Sequence, residues 1–117
     1  MSAWETEILL EEVNADFLDE LNDLDTEEVV EAIRDACVLA AGEGNVSEDE
    51  RQNGLAAATI VAIWAGAPFT DADAVNEHSF IRANIGEGDE ELYEVAASLL
   101  DTVETEHDLE AFTEALS

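Results

Sequence analysis

The sequence predicts an all-α fold, a compact single-domain array of about five helices. Three observations predict it. Apolar residues recur at spacings of three and four through most of the chain, no segment alternates polar and apolar residues long enough to make a good strand, and capping residues stand where the apolar stripes begin. With 47% apolar residues, the 117-residue chain has material for one hydrophobic core.

Thr6–Leu10 is the one strand candidate, ahead of the first helix. Val13, Phe17, Leu18, Leu21 and Leu24 then mark an amphipathic helix over about residues 11–23. Asp25, with Glu28 three residues on, has the spacing of a capping box. The stripe Val29, Val30, Ile33, Ala36, Cys37, Ala40 follows to a stop at Gly42 and Gly44. Ser47 and Glu50 repeat the box ahead of a helix over 49–65, apolar on all sides from Leu55 to Trp64 and therefore central. Gly66, in the left-handed region, and Pro68, a helix breaker, end it.

Residues 69–88 mix their signals and read as a loop with one or two helical turns. From Asp89 the stripe resumes at Leu92, Val95, Ala96, Leu99, Leu100 and Val103. Thr105 with Asp108 caps a last helix carrying Leu109, Phe112 and Leu116.

The charge is the outstanding compositional feature: 31 Asp and Glu face three arginines, Arg34, Arg51 and Arg82, with no lysine, for a net charge of -28. The acidic residues are spread from Glu5 to Glu114 without an acidic tail, the mark of a chain-wide pressure. That pattern predicts a halophile's cytosolic protein, kept hydrated in molar salt and self-repelling in dilute buffer. The alternative is an acidic inhibitor, an immunity protein or nucleic-acid mimic that occupies a basic cleft. Direct binding of nucleic acid is excluded, because three scattered arginines cannot displace the counterions of a phosphate backbone. Calcium is set aside too: neither Gly42–Asp49 nor Gly86–Glu91 places oxygen ligands around a turn glycine as an EF-hand loop does. There is no signal-type start, and the longest run free of charged and amide side chains, Gly54–Thr70, is shorter than the ~20 residues of a membrane span, so a cytoplasmic location is expected and no membrane partner.

No pattern of residues points to catalysis, and the chain reads as a non-enzyme without cofactor or metal. Cys37, the one cysteine, stands on an apolar stripe and reads as buried. Glu104 and His107 have a di-iron spacing but stand alone, since Val75 occupies the corresponding position before His78. No serine lies in a nucleophile-elbow motif, and the glycines are too sparse for a phosphate loop. What remains is action through protein contacts, with an unidentified protein or with a second copy in a homo-oligomer.

Trp64 reads as core. Trp4 stands in an acidic stretch and is expected to dock on the core, ordering the N-terminus. The opening Met1-Ser2-Ala3-Trp4, followed by Asn14-Ala15-Asp16-Phe17-Leu18-Asp19-Glu20-Leu21, resembles the start of the domain-of-unknown-function family 4259, whose members begin Met-Gly-Ala-Trp-Gly and continue through Phe and Asn-Asp to Asp-Phe or Asp-Trp and Glu-Leu. Ala3, Trp4, Asp16, Phe17, Glu20 and Leu21 match that pattern, and the alanine-rich helix ending near Gly66 and Pro68 and the Ala97–Asp101 stretch fit its later order. Ser2 and Glu5 replace the two opening glycines, Leu9 the Phe, and Glu11 and Glu12 the Asn-Asp. The resemblance implies a small helical protein with no known activity, and marks Ala3, Trp4, Asp16 and Phe17 as family positions of unknown role.

Overall fold

Seven helices make up the regular structure of a computed structural model that describes residues 4–9, 11–42, 46–67, 76, 78–103 and 109–116. They are α1 (Trp4–Leu9), α2 (Glu12–Leu21), α3 (Thr26–Ala41), α4 (Glu48–Trp64), α5 (Ser79–Ala83), α6 (Glu90–Asp101) and α7 (Glu110–Leu116). No strand occurs among the described residues, so the all-α expectation holds.

The centre is α4. Every residue from Gly54 to Trp64 is buried, and α4 packs against each of the other six helices. An all-round apolar helix can satisfy that surface only by being enclosed. Buried side chains from all seven helices join it in one contiguous cluster. On α3 the predicted stripe divides: Val29, Ile33, Cys37 and Ala40 are buried, whereas Val30 and Ala36 are half-buried at its edge.

The N-terminal strand expectation is overturned, for Thr6–Leu9 lies in α1. Ile8 and Leu9 are consecutive and both buried, and period-two geometry cannot put neighbours on one face, whereas a helical face can. The turn into α2 is closed by Asn14, whose buried amide donates to the Ile8 carbonyl at 2.7 Å.

Three of the helix starts differ in the charge of their capping arms. At α4 the box forms as expected, with Ser47 Oγ accepting from Glu50 N at 3.1 Å and Glu50 Oε1 accepting from Ser47 N at 3.3 Å. At α3 the expected box does not form: Asp25 holds the N-cap position but its side chain accepts no capping bond. There both arms are carboxylates, Asp25 and Glu28, and their repulsion opposes the closure that a neutral hydroxyl permits. Asp89 at α6 is the case without a second carboxylate. With Leu92 three residues on, its carboxylate does cap, accepting from Leu92 N at 2.9 Å.

At the other end of α4, Gly66 takes φ +107°, the left-handed conformation that glycine adopts freely. Gly66 N reaches Ile63 O and Ala67 N reaches Ala62 O, both at 3.0 Å, the paired bonds of a Schellman motif. The α5 segment is pinned to the same end, since Trp64 Nε1 donates to Ile81 O at 2.8 Å and Gly86 N to Trp64 O at 2.9 Å. The expected Thr105–Asp108 cap lies outside the described residues; the helix it was to start is α7.

Candidate functional site

The family positions Asp16 and Phe17 lie on the flank of α2 where it passes the first turns of α4. Asn14, Leu18 and Leu21 turn inward from the same helix, which leaves Asp16 exposed and Phe17 half-buried. The two open onto different surfaces. Asp16 faces an acidic cleft of about 440 Å³ with Glu11, Glu12, Glu48 and Asp49. Phe17 faces a groove of about 300 Å³ with Ala32, Ala36 and Leu39 of α3, rimmed by Asp35, Glu50 and Asn53. They share a wall, because consecutive residues line one and the other: Asp16 and Phe17 on α2, Asp49 and Glu50, then Gln52 and Asn53, on α4.

The groove is apolar at its base and unfinished. Leu39, which lines it, is 52% exposed, a large apolar side chain left open near the end of a helix; its neighbour Val38 opens onto a different surface, beside Arg34, Glu91 and Val95. The side-chain oxygen of Asn53 is buried without a hydrogen-bond partner, an arrangement that costs free energy unless a donor arrives. The C-terminus of α3, whose carbonyls carry partial negative charge, has no basic residue in its last turn to offset them.

None of the three arginines is left over for a binding patch. Arg34 of α3 pairs with Asp89 and lies 3.9 Å from Glu91, and Arg51 of α4 donates to Thr102 Oγ1 at 3.2 Å. Arg82 is likewise engaged. The Arg34 guanidinium, with help from Leu92 N–H, holds the Asp89 carboxyl below its ordinary range.

The residues weighed for chemistry fall out as follows. Cys37 is fully buried, and loss of solvent pushes its thiol up to about 12, which keeps it from acting as a thiolate at neutral pH. His78 is buried, its Nδ1 3.2 Å from Asn22 Nδ2 and 3.8 Å from Asp19, so it ties the end of α2 to α5. Among the described residues no three His, Cys, Asp or Glu side chains come together as a metal-binding set, and no helix is long and apolar enough to cross a membrane. His107 and Glu104 lie outside the described residues. So do Ala3 and the side chain of Trp4, and with them the expectation that this ring docks on the core; the backbone of Trp4 opens α1.

The family model of the domain of unknown function DUF4259 matches residues 2–115. The chain belongs to that family. No curated protein and no solved structure matches it. Of the six positions that match the pattern described above, two, Asp16 and Phe17, stand where the acidic cleft and the apolar groove meet.

The α3 half of the groove escaped the sequence reading, though a signal was present. Cys37, Val38, Leu39 and Ala40 are four apolar residues in a row, and a single stripe can use only Cys37 and Ala40. Val38 and Leu39 are the surplus, and of the two it is Leu39 that lines the groove.

Proposed function

We propose that this DUF4259 protein acts by binding another protein, without catalysis, in a cytosol of molar salt. One observation carries the reading: a half-exposed leucine, Leu39, stands beside the family position Phe17 in a groove that no part of the described chain covers. Contact surfaces are built from such apolar centres with polar rims. A photo-crosslinking residue at position 39, with products identified by mass spectrometry from cells of the source organism, tests it. A discrete protein adduct that Leu39→Ser reduces in pull-down at molar KCl supports the reading; adducts spread evenly over unrelated proteins, or a partner indifferent to Leu39, would sink it.

The acidic cleft favours a second reading, an inhibitor that presents Glu11, Glu12, Asp16, Glu48 and Asp49 to a basic cleft in place of phosphates. Circular dichroism against KCl separates the two. Self-repulsion of -28 charges is little screened at about 0.15 M, where the Debye length is ~8 Å, and strongly screened at 1 M, where it is ~3 Å. The halophilic contact protein loses its helicity in dilute buffer and regains it in molar KCl. An inhibitor keeps its fold at low salt and binds there most tightly.

A further inference from the structure

We infer that the groove between α2, α3 and α4 takes an amphipathic helix of a partner protein, one that inserts an apolar ridge over Phe17, Ala36 and Leu39 and carries lysine or arginine along its flanks. This rests on the reading of the protein as a contact module and adds the chemistry of its partner.

The base of the groove specifies the ridge. Ala32 and Ala36 are small, at i and i+4 on α3, and between Phe17 and Leu39 they leave a trough of about 300 Å³, room for one or two large side chains of a helix laid along it. The rim specifies the flanks. Asp35 is exposed on one side, Glu50 half-buried on the other, and beyond the shared wall stand Asp16, Glu48 and Asp49. The α3 terminus adds partial negative charge with no basic residue of its own to meet it.

Charge also decides against a second copy as the occupant. A copy would bring the same carboxylates to this rim, with a net charge of -28 behind them, and its arginines are all engaged within their own chain. In molar salt, screening over ~3 Å leaves charge effective only at contact. The ridge therefore supplies affinity and the flanks supply selectivity.

The test uses three synthetic helical peptides and the full chain in molar KCl, read by fluorescence anisotropy. One peptide has a Leu/Phe ridge with Lys and Arg flanks, the second the same ridge with Glu flanks, the third the first composition with its ridge scrambled. The first should bind at least about tenfold more tightly than either control. Leu39→Ser should weaken it about tenfold, and Asp35→Lys should shift preference toward the Glu-flanked peptide, both variants keeping wild-type circular dichroism. Equal binding of the scrambled peptide, or no preference against Glu flanks, overturns the inference. So does a Leu39-dependent homodimer in sedimentation, or a crosslinked native partner that presents an acidic helix; in those two cases protein contact through the groove stands and only the assigned occupant falls. Failure of every peptide together with a native partner indifferent to Leu39 removes both.

Discussion

Two junctions hold this helical array together by opposite means. Where α3 crosses α4 the contact is made of almost nothing: a Cβ added at Gly54 would sit 2.1 Å from Ala40 Cβ and 3.1 Å from the Ala36 carbonyl. Where α6 meets the same two helices it is tethered by arginines, Arg34 reaching Asp89 at its start and Arg51 reaching Thr102 at its end. The first junction depends on shape and is indifferent to ionic conditions. The second spends two of the three cations in the chain and answers to salt and pH. Two of the three arginines are thus used between the protein's own helices, which leaves apolar surface and carboxylates for the contacts proposed above.

The shape-based junction should break hardest. Gly54→Ala gains about 1 kcal/mol of helix propensity, but Ala40 Cβ is rigidly attached and cannot yield, so overpacking of about 1–3 kcal/mol opposes that gain, and a larger residue costs more. Urea unfolding in molar KCl should show Gly54→Val as the most destabilised variant, with little dependence on salt. Pairing Gly54→Ala with Ala40→Gly should recover part of the loss, since the two groups compete for one space. Additive losses would mean that the helices separate instead of clashing.

Trp64→Phe probes a third junction, the hydrogen-bonded lock between α4 and α5. It removes the indole donor and leaves the Ile81 carbonyl buried without its 2.8 Å bond, a loss of about 1–3 kcal/mol. Hydrogen exchange should show the amides of α5 and of Gly86 opening earlier than those of α3.

The apolar junctions were legible in the sequence and the polar ones were not. Stripes at spacings of three and four located α2, α3, α4 and α6, because burial imposes helical periodicity on the residues themselves. The enclosure of α4 followed from its lack of any polar face. The Thr6–Leu10 stretch misled because the six residues of α1 hold less than two turns, too few to display a period, and the bond from Asn14 to Ile8 that closes its end is tertiary information. The cap at Asp25 misled because the box pattern records spacing and not the sign of both arms. The roles of Arg34, Arg51 and His78 depend on partners 55, 51 and 56 residues away, and no local pattern encodes such pairings. Of the groove, Phe17 was visible through the family pattern, while Leu39 belongs to the site only because α3 lies against α2 and α4.

The charge rule at the caps makes a finer comparison. Ser47→Ala loses the hydroxyl arm of a formed box, keeping only the backbone N–H that Glu50 accepts from, and should cost about 1 kcal/mol. Asp25→Ala removes a side chain that accepts no capping bond and should cost measurably less. Glu28→Gln should let Asp25 close on the N-terminus of α3, and a gain in stability would confirm that repulsion keeps the box open; no change would assign the open cap to backbone geometry instead.

The smallest effect belongs to the tether, and only differences between variants can reveal it. Lowering pH neutralises carboxylates everywhere and relieves the self-repulsion of the whole chain, so the pH dependence of the wild type mixes that relief with the loss of specific bonds. Asp89→Asn keeps an oxygen for the cap on Leu92 and discards the charge facing Arg34. Because Arg34 holds the folded carboxyl of Asp89 below its ordinary value, the stabilisation it brings is fully present above the unfolded carboxylate range of about 4 and disappears as pH falls through the lower folded value. The stability difference between wild type and Asp89→Asn should therefore be constant near neutrality and close toward zero in acid. Raising KCl should shrink the same difference, since both partners are exposed enough for salt to reach them. A difference that persists in acid would belong to the amide's poorer cap and not to the ion pair, and one that survives molar salt would make the tether a matter of hydrogen-bond geometry, as at α4.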